Sequence, residues 1–162
     1  MQTKFESVEA LLVQKGFEFE RKDWNRPWGA FWVIEEAQAE QFTSEYFPDL
    51  SLQDLREGRK VSPKILLVAP EKRLSWQYHF RRSEVWRVID GEVGIARSDT
   101  DEQMPTQHYQ VGDVVTLKKG ERHRLIGLKD WGMVAEIWIH TDPDHPSDES
   151  DIVRLQDDFN RK

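Results

Sequence analysis

The chain has 162 residues, 23 Lys plus Arg against 30 Asp plus Glu, a formal net charge of -7 and no cysteine. That length suits one domain, and the acidic balance argues against nucleic acid as a partner, because phosphate backbones demand the opposite sign. The absence of thiols excludes disulfides, thiolate metal sites and cysteine nucleophiles, so any metal must be held by the 5 histidines, by carboxylates or by amides. No apolar run approaches the ~20 residues of a membrane span and no signal-peptide pattern opens the chain, which leads to the expectation of a cytoplasmic domain with no membrane partner.

In chain order, Glu6 to Gly16 carries Val8, Leu11 and Leu12 at helical spacing, and Gly16 supplies a stop. Arg26-Pro27-Trp28-Gly29 breaks the pattern, and Ala30 to Ile34 reads as a strand. A second short helix is expected from Ser51 to about Glu57, with Ser51 as N-cap and an acid in its first turn, ending by Gly58. Strands then follow at Lys64 to Val68, Ser75 to Arg81, Val85 to Ile89, Glu92 to Arg97, His108 to Val111, Val114 to Leu117, His123 to Ile126 and Met133 to Ile139. Turn signals separate them: Asp90-Gly91, Gly112-Asp113 and Lys119-Gly120. Short strands at this spacing predict an all-β barrel or sandwich. The acidic segment Asp142 to Ser150 reads as a surface loop, and Ile152, Val153, Leu155 and Phe159 as contacts docking the C-terminus.

The chemistry concentrates in Gln77-Tyr78-His79-Phe80-Arg81-Arg82-Ser83-Glu84, with His123 further on. Period-two geometry places Gln77 and His79 on one strand face, opposite Trp76, Tyr78 and Phe80. Glu84 opens the next strand after a tight connection, and His123 follows the Gly120 turn. Two imidazoles, a carboxylate and an amide oxygen form a ligand set for a divalent ion of nitrogen/oxygen type. Gln77 and His79 could equally be a polar strand face hydrogen-bonded inside a barrel.

Gln77-x-His79-x4-Glu84-x6-Gly91 resembles the first cupin motif, with Gln for its first His. Gly112-x5-Lys118-x-Gly120-x2-His123 resembles the second, with Lys118 for the usual Pro and Gly127 for the usual Asn. Arg26-Pro27-Trp28-Gly29, Leu74-Ser75-Trp76-Gln77 and Asp151-Ile152-Val153-Arg154-Leu155-Gln156-Asp157 narrow the resemblance to type II mannose-6-phosphate isomerases, over Arg26 to Arg161. The resemblance implies an all-β double-stranded β-helix, the cupin jelly roll, with one or two short N-terminal helices. Residues 1–25 would form the N-terminal helix and lead-in, and 26–162 a single cupin domain.

By the same resemblance Gln77, His79, Glu84 and His123 hold the metal, zinc first, with manganese, cobalt, iron or nickel compatible. Arg82 and Arg154 act on the phosphosugar and the reacting carbons as catalytic and substrate-binding residues. Lys118 is either a further substrate-facing amine or an exposed turn residue. Arg82 and Arg154 have surface ion pairing as their plainer alternative. Trp28, Trp76, Trp86 and Trp138 are expected to pack in a core or dimer contact, and His108, His140 and His145 to be incidental surface or edge residues.

The implied function is a metal-dependent aldose–ketose isomerase acting on a sugar phosphate, with Glu136 and Lys118 as positional candidates for the base and a homodimer as the assembly. The departures cut the other way. Phe80 and Val85 stand where the family has histidines, and neither can carry a proton or bind metal. The alternatives are a non-catalytic metal- or sugar-binding cupin, acting as sensor or partner subunit, and, behind it, an iron cupin oxygenase.

Overall fold

The computed structural model describes residues 3–51 and 60–159. The short helix expected over 51–57 therefore falls almost wholly outside the described residues. Helix α1 (Lys4–Gln14) begins at Thr3, whose hydroxyl accepts the Glu6 N–H, and buries Val8 and Leu12. Strands β1 (Phe19–Arg26) and β2 (Gly29–Ile34) follow, then α2 (Ala39–Tyr46), which buries Phe42 and Tyr46. Neither β1 nor α2 is visible in the residue pattern. Strand β1 is mostly polar, and α2 is a two-turn helix containing Thr, Phe and Tyr, which are weak helix formers.

The remaining strands are β3 (Lys64–Val68), β4 (Trp76–Tyr78), β5 (Arg82–Asp90), β6 (Glu92–Ser98), β7 (Gln107–Gln110), β8 (Val114–Leu117), β9 (Arg122–Gly127), β10 (Gly132–His140) and β11 (Val153–Gln156). They form two antiparallel sheets, in the orders β1-β2-β3-β10-β5-β8 and β11-β4-β9-β6-β7. This is the all-β jelly roll expected from the sequence, with two short helices near its start.

Period two explains where the core sits. In the six-stranded sheet, Phe31, Val33, Leu66, Val68, Trp86, Val88 and Val134 face the second sheet and meet Val93, Ile95 and Leu125. Alternate residues of the same strands, Ala30, Trp32, Ile34, Ile65, Leu67, Val85, Ala135 and Ile137, face the other way and are covered by α1 and α2. The helices thus close the outer face, which makes β2 and β3 near-continuous apolar runs. Each fully buried large side chain here contributes about 1.5–3 kcal/mol against exposure.

The same parity carries polar residues inward. Lys64 precedes Leu66 and Val68, Glu84 precedes Trp86 and Val88, and Glu136 follows Val134. Register then aligns them: Lys64 lies opposite Glu136, Glu136 opposite Trp86, and Trp138 opposite Glu84. On the other sheet Arg154 lies opposite Gln77, and Gln77 opposite His123. Two polar rows, one per sheet, thereby enter the same end of the sandwich.

Two glycines are required by their surroundings. Gly91 turns the β5–β6 hairpin at a φ of 69°. Gly127, where the resemblance leads one to expect Asn, abuts the carbonyl oxygens of Ala69 and Lys72 so closely that a Cβ would collide with both.

Candidate metal centre and its cavity

Strand geometry delivers the three ionisable candidate ligands from separate places: His79 just beyond β4, Glu84 from β5 and His123 from β9. All three are buried, and their donor atoms lie within 4.8 Å of one another. Glu84 Oε2 is 3.3 Å from His79 Nε2, and Glu84 Oε1 is 3.5 Å from His123 Nε2.

Each imidazole is oriented through its other nitrogen. His79 Nδ1 lies 2.7 Å from the Asp151 carbonyl and His123 Nδ1 lies 3.0 Å from the Glu121 carbonyl. A carbonyl only accepts, so both Nδ1 atoms carry a proton and both Nε2 atoms face the cluster. Burial pushes His79 down to about 4, aided by Arg82 and His123 against the pull of Glu84, so its ring is neutral at physiological pH. Burial alone would raise Glu84, but Arg82, His79 and His123 outweigh it and hold the carboxyl well below its ordinary range.

The arrangement fits a divalent ion. Among the described residues, Glu84 Oε1 and His123 Nε2 are fully buried yet complete no hydrogen bond, an expensive state that a cation between them would resolve. Two imidazoles and a charged carboxylate, each braced by a neighbour, are the donors such an ion takes. Gln77 stands opposite His123 in register, and its amide oxygen accepts the Ser75 hydroxyl at 2.8 Å with one of two lone pairs.

Arg82 is buried rather than a surface ion-pair partner. Its Nε donates to Glu84 Oε2 at 2.7 Å, its Nη1 to Ser147 Oγ and the Asp148 carbonyl at 2.9 and 3.0 Å, and its Nη2 reaches His79 Nε2 at 3.3 Å. The guanidinium lies 3.7 Å from the Trp138 ring centre. Arg154 projects from β11 into the same space.

Gln77, His79, Arg82, Glu84 and Arg154 line a cavity of about 90 Å³ together with Arg26, Lys64, Trp28, Trp86, Glu136 and Glu149. Lys118 is not among its lining residues. It follows β8 on the outward turn, with 70% of its side chain exposed and its ammonium 3.9 Å from Asp99. The exposed-turn reading of that residue is the one the geometry favours.

Several expectations are corrected. The Asp142 to Ser150 segment is not merely a surface loop, since Ser147 is buried and the segment straps Arg82 in place. Just beyond it, the Asp151 carboxylate accepts the Phe80 and Arg81 amides and the Ser147 hydroxyl. His140 is buried, and its Nδ1 accepts the Ser147 amide. Phe80 points to solvent at 59% exposure, whereas the polar alternates Ser75 and His79 are buried.

Sequence reasoning missed Lys64, Glu149 and Arg26. Lys64 had a signal, a cation opening an otherwise apolar strand, and Arg26 opens a motif already singled out. Glu149 had none.

The family model described as "Mannose-6-phosphate isomerase C-terminal" matches residues 35–157, well over half of the chain. The chain belongs to that family. Comparison with curated proteins gives no match. Among solved structures, the capsular polysaccharide assembling protein CapF from Staphylococcus aureus superposes with a TM-score of 0.54 at 14% identity, covering 86% of this chain and 34% of that one. Vicilin from Solanum lycopersicum (tomato) gives 0.53 at 17%, covering 83% and 33%. A Cupin 2 conserved barrel domain protein from Salinispora arenicola CNS-205 gives 0.41 at 20% identity, covering 51% and 63%. The chain spans less than half of the oxalate oxidase it also resembles, 46% of that chain. At these identities the likenesses speak to the fold alone.

Proposed function

We propose that the chain is a metal-dependent aldose–ketose isomerase acting on a sugar phosphate, mannose-6-phosphate isomerase-like. The observation that carries this reading is one cavity lined by His79 and Glu84, two members of the His79–Glu84–His123 cluster, beside the guanidinium groups of Arg82 and Arg154. Family membership supports it.

His79, Glu84 and His123, with the Gln77 amide oxygen, would hold the ion. A bound divalent ion, zinc first, supplies Lewis acidity toward the carbonyl and hydroxyl oxygens of the open-chain sugar. Arg82 contributes fixed N–H groups where negative charge develops on those oxygens, and its long 3.3 Å contact to His79 is the donor most readily turned to substrate. Arg154 suits a phosphate dianion, which a guanidinium meets with two parallel hydrogen bonds. The indoles and aliphatic walls exclude water from the reacting carbons.

The test is elemental analysis of the purified protein, followed by an isomerase screen over hexose, pentose and heptose phosphates with added divalent metals. About one metal per chain and turnover of a sugar phosphate are expected. No metal, with thermal stability unmoved by Zn, Mn, Co or Ni, rejects the centre. Phe80 and Val85 in place of histidines favour a second reading, a binding-only cupin. A loaded site that turns nothing over, but gains about 5 °C or more of melting temperature with a saturating sugar phosphate, would establish that reading instead. The proposal includes a homodimer, which a monomeric sedimentation profile at micromolar concentration would reject.

A further inference from the structure

We infer that Glu136 is the general base of the site, the group that carries the proton between the two reacting carbons; the inference rests on the isomerase reading above.

Glu136 sits at the middle of the six-stranded sheet, on the inward face of β10, and its side chain is 5% exposed. It lines the cavity that His79, Glu84 and Arg82 line. Its carboxylate is aimed by two indoles: Oε1 accepts Trp86 Nε1 at 2.8 Å and Oε2 accepts Trp138 Nε1 at 3.0 Å. Among the described residues its ion-pair contact is with Lys64, 3.9 Å from Oε2, and that ammonium is already engaged by Glu149 at 2.7 Å.

The Lys64 countercharge, 3.9 Å away, is farther than the 2.7 Å that separates Glu84 from Arg82. Neutral donors hold the Glu136 oxygens in place without fixing the charge, which is what a reversible proton carrier requires. The charged and titratable groups lining the same cavity are Arg26 from β1, Lys64 from β3, Arg82 and Glu84 from β5, His79 beyond β4, Arg154 from β11 and Glu149 from the strap. Burial and the Glu84 charge push Glu136 up to about 7, against the opposing pull of Lys64, Arg82 and the Trp138 hydrogen bond. Two carboxyls in one cavity are thereby separated, one kept ionised beside a guanidinium and one able to change protonation near neutral pH. The other positional candidate, Lys118, lies outside the cavity.

The step balances without any co-reactant. The Glu136 carboxylate takes the proton from C2 of the aldose, the C–H electron pair becomes the C1–C2 double bond, and the carbonyl pair moves onto O1. The proton on O2 passes to O1. The pair left on O2 then reforms a carbonyl at C2, while the C1–C2 double-bond pair takes the proton back from Glu136 to C1, giving the ketose and the free carboxylate.

The experiment measures steady-state kinetics across pH for the metal-loaded wild type, Glu136→Gln and Trp138→Phe, using the sugar phosphate that the wild type turns over. Glu136→Gln is expected to lose at least about 100-fold in kcat, with KM within about threefold and metal content unchanged. Trp138→Phe keeps the carboxylate and the ring beneath Arg82 but removes one donor to the charged form. Its kcat should fall less than tenfold, and the ascending limb of kcat/KM should move to higher pH. Retention of kcat within threefold by Glu136→Gln overturns the inference. If that variant does not fold, an unmoved limb in Trp138→Phe overturns it. Absence of turnover by the wild type across the whole screen removes the isomerase reading and this inference together, a result distinct from either variant outcome.

Discussion

Replacing Glu84 by Gln tests the centre at its most connected residue. The substitution preserves shape and leaves one carbonyl oxygen to accept Arg82 Nε, now at 2.7 Å from Oε2. What disappears is the charge that compensates a buried guanidinium and that lies within 3.5 Å of both imidazole Nε2 atoms. Removing one partner of a buried pair costs about 3–5 kcal/mol. Here Arg82 retains Ser147, the Asp148 carbonyl and the Trp138 face, so the lower end of that range, about 3 kcal/mol, is expected for the metal-free protein. For a domain of this size that corresponds to a melting temperature about 6–12 °C lower. The second effect is on the ion. With the sole charged ligand neutralised, metal recovered after gel filtration should fall at least tenfold. Calorimetry on chelator-treated protein and elemental analysis on loaded protein read the two effects separately. A shift under 2 °C would refute the energetic argument, and undiminished metal occupancy would refute the ligand set.

Three further outcomes follow from the same contacts. In metal-free protein His79 is held neutral down to about 4 while the unfolded chain takes up its proton near 6.5, so stability falls as pH drops through that window by up to about 1.4 kcal/mol per unit; urea denaturation from pH 4.5 to 6.5 should show a flatter dependence in His79→Gln, and equal slopes would contradict the assignment. Asp151→Asn puts an amide N–H against the donors of Phe80, Arg81 or Ser147, so a loss of about 1–3 kcal/mol and roughly tenfold weaker metal retention are expected, the latter through His79, whose ring is held by the Asp151 carbonyl; an unchanged melting temperature would show that the strap is not held this way. Gly127→Ala drives a Cβ into two backbone carbonyls and should cost about 3 kcal/mol or more, visible as a lower urea midpoint, whereas a variant as stable as the wild type would mean that the Ala69–Lys72 turn can move aside.

The all-β class was legible because its strands alternate or run apolar between unmistakable turns, as at Asp90-Gly91, while the jelly roll came from the family resemblance. The grouping of His79, Glu84 and His123 was legible because spacing along two short segments is preserved when they are brought together. The strap was not, because Asp142 to Ser150 has the composition of a solvated loop and its importance lies in the two bonds it gives Arg82. Lys64 and Glu149 meet across 85 residues, a distance no local pattern encodes. Strand β1 is an edge whose mostly polar residues erase the alternation that identifies buried strands, and its register also shifts twice.

Glu84 and Glu136 share a cavity, yet their environments drive them apart, and the cause is visible in the strand register. Both residues face inward on adjacent strands of one sheet, offset by two residues because Trp138 lies opposite Glu84 and Trp86 opposite Glu136. That offset brings each indole of the pair within reach of Glu136, while Glu84 lies two residues along β5 from Arg82. Coulomb attraction scales inversely with distance, so a guanidinium at 2.7 Å acts about 1.4 times as strongly as an ammonium at 3.9 Å at equal screening, before the Lys64 charge is shared with Glu149. The nearer cation keeps Glu84 ionised in spite of complete burial, and the weaker one leaves Glu136 to burial and to the Glu84 charge. A single repeat of the period-two pattern thus separates a permanent anion, able to hold a cation, from a carboxyl able to take up and release a proton. Exchanging Arg82 for Gln should therefore disturb both groups in the same direction, raising the pH at which each ionises.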